Sequence, residues 1–225
     1  MEKLNFEFKG DATNVANMER YLRNQFFFLG LKTPIRKEQS KPLIQRSKSL
    51  EMDTIRQWIS ELYARDYREY QYVAIELADK NIKKFQPDDI IFLKQLVAQK
   101  SWWDSVDSLR AVFGKYIKLH PAEKKTVFEL FYKSTNMWER RTSINLQLME
   151  KENTDIAMLT KSILLDQTTD EFFIQKAIGW SLRQYGKTNP EWVFAFLSGH
   201  QLSSLAVKEA TKHLANGEHF RHKLS

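Results

Sequence analysis

"SWWDSVDSLRAVFGKYI", residues 101–117, is the stretch that decides the fold. Its apolar residues recur at three and four, the spacing of a helix and not of a strand. Wound at about 100° per residue, Trp102, Val106, Leu109, Phe113 and Tyr116 fall on one stripe, the expected core face. Ser101 is the expected N-cap, and Asp104 three residues on completes a capping box. Trp103, Asp107, Arg110 and Gly114 form a second stripe, so the paired tryptophans part: Trp102 turns inward and Trp103 shares a face with Asp107. The plain reading of Asp107 is an i,i+3 pair with Arg110 on a solvated face.

The pattern repeats. Trp103, Trp138 and Phe173 follow at equal intervals of 35, in "WWDSVDSLR", "MWERRTSINL" and "FFIQKAIGWSL". Each opens a helix with an aromatic and places a polar or charged residue three or four positions later. A period of this size is one helix pair of an α-solenoid, whose equivalent faces line a concave surface. Helical spacing also runs through "EMDTIRQWISELYA", "DDIIFLKQLVAQ", "AEKKTVFELFYK", "DIAMLTKSILL" and "NPEWVFAFLSG". Pro87, Pro121 and Pro190 sit at expected first helical positions with acidic residues just after them. No hairpin signal is present, so the chain reads as all-α, about a dozen helices joined by short turns.

Composition narrows the class. The 225 residues include no cysteine, which excludes disulfides and thiolate metal sites. The start "MEKLNFEFKGDATN" has no apolar h-region, and no apolar run approaches a membrane span. A soluble, cytoplasmic monomer is expected, with no membrane, metal or cofactor. Lys and Arg number 35 against 28 Asp and Glu, and this excess favours a polyanionic partner.

The distribution of those charges is more informative than their sum. In the helix from 172 to 187, Ile174, Ile178 and Tyr185 form the core stripe. Beside it lie Phe172, Phe173, Lys176, Trp180, Arg183 and Lys187, three aromatics and three cations on one face. Trp138 and Arg141 make the same kind of pair one repeat earlier. Such a strip suits a phosphate backbone with sugars and bases alongside. Asp107 is then expected to be a lone anion among cations and aromatics, where a carboxylate that repels phosphate needs a task. Gly186-Lys187-Thr188 resembles the end of a phosphate-binding loop, but Ser181 stands where a glycine is required and no strand precedes it. His219 and His222 share a helical face without a third ligand, so they make no metal site.

"KSWWDSVDS", "EFFIQKAIGW" and "RYLRNQFFFLGLKTP" together resemble the AlkD-type family of bacterial DNA alkylation repair glycosylases, over roughly residues 14–215. The resemblance implies a single domain over residues 1–225 of about six HEAT-like helical pairs with a concave basic surface. It implies hydrolysis of the N-glycosidic bond of cationic N3- and N7-alkylated purines, such as 3-methyladenine and 7-methylguanine, in double-stranded DNA. By motif, Asp107 matches the family's catalytic aspartate, and Trp103 and Trp180 match the tryptophans beside it. Arg141 matches an arginine contacting the DNA backbone, and Tyr21 a tyrosine of the DNA-facing surface. Arg183 and Lys187 fall at phosphate contacts. "ERRTS" departs from the family's usual Gln-Arg-Ala-Ala, leaving Arg140 and Arg141 as alternatives, with helical phase favouring Arg141. The family also holds members without the catalytic residues, so a non-catalytic DNA-binding repeat protein is the alternative reading.

Overall fold

Twelve α-helices and four 3-10 turns make up the regular structure of residues 2–212, the part of the chain described by the computed structural model; no β-strand occurs among them. The Cα packing divides the chain into two compact units, one ending at Leu96 and one beginning at Val97.

The first unit holds α1 (Val15–Tyr21), α2 (Thr33–Ser47), α3 (Met52–Ala64), α4 (Arg68–Asn81) and α5 (Pro87–Val97), the last residue of which passes into the second unit. Its core is the apolar face of α3, with Ile55, Ile59 and Leu62 buried, against Val73, Ala74 and Leu77 of α4. The loop after α1 is pinned by Glu69, fully buried at the start of α4. Its carboxylate accepts the backbone N–H groups of Leu29, Gly30 and Leu31, each at 3.0 Å. Gly30 lies at φ +84°, and a Cβ there would overlap the Asp11 carbonyl, so only glycine fits.

The second unit runs through α6 (Trp103–Leu119), α7 (Lys124–Phe131), α8 (Met137–Asn145), α9 (Ile156–Leu165), α10 (Phe172–Tyr185), α11 (Pro190–Gly199) and α12 (Ser204–Ala210). The expected stripes are buried: Val106, Leu109, Phe113 and Tyr116 on α6, and Ile174, Ile178 and Tyr185 on α10. Pro87 and Pro190 open their helices as expected, whereas Pro121 opens a 3-10 turn ahead of α7. α6 packs on α8, α8 on α10, and α10 on α12. Gly179 permits the last approach, because a Cβ there would come within 2.7 Å of the Ala206 carbonyl oxygen.

The repeat is written in side-chain hydrogen bonds. Asn81 to Ser47 and Arg141 to Asp107 each span 34 residues, Arg56 to Asp89 and Tyr63 to Leu96 each 33, and Lys161 to Glu129 spans 32. Bonds of nearly one period occur inside both units, as expected where each helical repeat touches the next.

Two expectations at the head of α6 are corrected. The N-cap is Trp102, with extended backbone, and not Ser101. Ser101 instead donates its hydroxyl to the Val97 carbonyl at 2.7 Å, closing the end of α5. Because Trp102 precedes the helix, helical phase does not govern its ring, and the ring is half-buried instead of lying in the core.

Candidate active site

Three successive repeats converge through the starts of α6, α8 and α10. The rings of Trp102, Trp138 and Phe173 form a cluster: Trp102 lies 5.8 Å from Trp138 and 5.1 Å from Phe173, and Trp138 lies 5.0 Å from Phe173. Phe172 adds an edge contact to Phe173 at 5.2 Å while remaining 47% exposed. The Trp102 indole Nε1–H is buried and has no hydrogen-bond partner among the described residues.

Asp107 sits one turn into α6, on the face of Trp103 four residues before it. It is not the lone anion expected. Arg141 of α8 grips it in a two-bond fork, Nε to Oδ1 at 2.9 Å and Nη2 to Oδ2 at 2.8 Å. The third arm, Nη1, donates to the Phe173 carbonyl at 2.5 Å. One guanidinium thus ties α6, α8 and α10 together. The side chains of Arg141 and Asp107 are 6% and 19% exposed, so the arginine is enclosed and the carboxylate still reaches solvent. A carboxylate offers about four acceptor sites. The fork uses one on each oxygen and leaves the outer ones open.

The i,i+3 pair between Asp107 and Arg110 does not form. Arg110 is 8% exposed, with its guanidinium 5.7 Å from the ring of Trp180 and its Nε buried without a hydrogen-bond partner. Burial lowers its proton affinity; Asp107 opposes this and Arg141 adds to it. Among the described residues no carboxylate lies within ion-pair distance of it.

The remaining expected DNA contacts are divided between paired and unpaired cations. Lys176 and Arg183 on α10 both engage Glu209 of α12, at 2.7 and 2.8 Å. Lys187 is exposed and, among the described residues, meets no carboxylate within ion-pair distance; its ammonium donates to Gln184 Oε1 at 2.9 Å. Arg140, the alternative to Arg141, is held by Asp166 and by the carbonyls of Ser134 and Thr135. Burial raises the Asp166 carboxyl, against the pull of Arg140. Tyr21 ends α1 in the first unit and is 71% exposed. Trp103 and Trp180 are half-buried. No cluster of three or more His, Asp or Glu among the described residues could hold a metal, and His219 and His222 lie outside them. No helix among the described residues is long and apolar enough to cross a membrane.

Helical projection missed the Asp107–Arg141 fork because it ranks faces of one helix at a time. The signal was nonetheless present: the two are 34 residues apart, close to the repeat interval. Glu209 carried part of the same signal: its pair with Lys176 spans 33 residues, close to the repeat interval, whereas its bond to Arg183 spans 26.

The profile of a family described as DNA alkylation repair enzyme matches residues 3–214. A solved structure described as a predicted DNA alkylation repair enzyme from Enterococcus faecalis is 46% identical, with a TM-score of 0.92, covering 94% of this chain and 99% of that one. AlkD2 from Streptococcus mutans is 19% identical with a TM-score of 0.63, covering 77% of this chain and 89% of its own. The smu.31 structure from Streptococcus mutans UA159 is 18% identical with a TM-score of 0.63, covering 88% and 100%. At these last identities the likeness concerns the helical-repeat fold alone. No curated protein gives a significant match.

Proposed function

Since the chain belongs to the DNA alkylation repair enzyme family, we propose that it is a DNA glycosylase acting on cationic N3- and N7-alkylated purines in duplex DNA. The observation that carries this reading is the Asp107 carboxylate, oriented by a two-bond guanidinium fork, part-open to solvent, and one helical turn after Trp103.

Alkylation at N3 or N7 places a positive charge on the purine, so the base departs as a neutral molecule and needs no general acid. The C1′–N bond breaks with its electron pair going to the base, and the sugar gains oxocarbenium character. A carboxylate held beside it stabilises that charge. Water then adds to C1′, and its proton passes to Asp107 or to solvent. In this reading Trp103 and Trp180 wall the sugar with electron-rich faces that favour a cation. Arg141 serves the chemistry by fixing the carboxylate. Phe172 and Phe173 border the site, Lys187, Lys176 and Arg183 contact DNA from the second unit, and Tyr21 is a DNA contact of the first.

Chromatographic detection of free base tests the proposal. Incubation with methylated duplex is expected to release 7-methylguanine or 3-methyladenine and leave abasic sites. DNA binding without any release would select the second reading, a non-catalytic DNA-binding repeat protein, for which the Asp107–Arg141 fork is solely a structural pair.

A further inference from the structure

From its burial, its unbonded Nε and the absence of a carboxylate within ion-pair distance among the described residues, we infer that Arg110 is a phosphate-binding residue for the nucleotide whose sugar lies at Asp107, an assignment that rests on the proposed DNA substrate.

The first support is local charge. Asp107 carries one negative charge, and Arg141 meets it with both oxygens engaged. Arg110 adds a second guanidinium and, among the described residues, no second anion accompanies it. The site is left with one unmatched positive charge in a largely enclosed setting. Buried charges are ordinarily paired, and the Trp180 ring at 5.7 Å is only a partial substitute. Among the described residues nothing bonds the buried Nε.

The second support is access. Gly114 lies one turn beyond Arg110, and a Cβ there would come 3.9 Å from Arg110 Nη1. Glycine at this part-exposed position places no side chain against Nη1.

The third is spacing and shape. Arg110 and Asp107 stand three residues apart on one helix, about 5–6 Å between Cβ atoms. A nucleotide presents its sugar and its flanking phosphate at a similar separation. A planar guanidinium fork matches phosphate oxygens. Arg141 has every arm engaged within the protein, whereas Arg110 has not, so Arg110 is the cation at this site with donors to spare.

The experiment measures binding of a short duplex carrying a tetrahydrofuran abasic site, with single methylphosphonates placed in turn at the phosphates either side of it. Wild type should lose roughly ten- to a hundredfold in affinity when one of those phosphates is neutralised. Arg110→Met should show that loss already on the unmodified duplex, with no further loss at that position and a salt slope lower by about 0.9. Thermal unfolding supplies the control. A ligand-binding role predicts that Arg110→Met is at least as stable as wild type in the absence of DNA. A merely structural role predicts destabilisation with unchanged salt slope. An Arg110→Met protein that keeps the wild-type slope and still discriminates the methylphosphonate overturns the inference. So does a wild type indifferent to every flanking methylphosphonate. Both readouts concern binding alone, so absence of base release would count against the glycosylase reading and leave this result standing.

Discussion

Asp107 and Arg141 form the pair on which the site turns, and their coupling is measurable. An exposed ion pair contributes little, whereas a part-buried fork contributes more because each partner otherwise loses its hydrogen bonds. Asp107→Asn, Arg141→Gln and the double variant should therefore give a coupling on the order of 1–3 kcal/mol in a denaturation cycle. A value near zero would return Asp107 to an ordinary solvated position. Trp102 and Trp103 should also differ from each other. Trp102 contacts two rings from other helices at half burial, so Trp102→Ala should destabilise by less than the ~3–5 kcal/mol of a fully buried tryptophan. Trp103→Ala should act chiefly on the excision rate. Which tryptophan packs where was only partly legible. The stripe through Val106, Leu109 and Tyr116 follows from spacing, but a one-residue shift of the N-cap put the Trp102 ring outside the rule used to place it.

At the scale of elements, α12 is docked on α10 by a close backbone approach at Gly179 and by Glu209 between two cations. Gly179→Ala should push the helices apart and cost about 1–3 kcal/mol, read by denaturation. Glu209 supplies a pH signature. The hydrogen bond from Lys176 holds its carboxyl below the ordinary range; burial opposes this, and Arg183 adds to the lowering. A lowered carboxylate stabilises the fold above its unfolded value, about 4.3, and that contribution is lost as pH falls through the lowered value. Amide exchange in α12 should accelerate across that acid window in wild type and show no such step in Glu209→Gln. At neutral pH, Glu209→Gln also frees Lys176 and Arg183 and should tighten DNA binding. The helices themselves were legible from apolar period and proline position. Glu209 was legible only in part: its pair with Lys176 keeps the near-period interval of 33, but its bond to Arg183 at 26 depends on how α12 returns to α10.

At the scale of the whole molecule, the 35-residue interval was the most informative sequence feature. It anticipated a helical repeat, and near-period hydrogen bonds occur in both units. The net charge of +7 pointed to a polyanion without saying which cations are available to it. Pairing decides that. Lys187→Gln should lower the salt slope of duplex binding by about 0.9, equally for undamaged and alkylated DNA, since phosphate carries no lesion information. Arg183→Gln should have a smaller effect while Glu209 is present, because that charge is already shared. The central claim, that Asp107 performs glycosidic chemistry, is tested most directly by single-turnover release of 7-methylguanine with saturating enzyme. Folded Asp107→Asn protein that still binds the methylated duplex should release base at least about a hundredfold more slowly than wild type. Release at the wild-type rate by that variant would contradict the assignment.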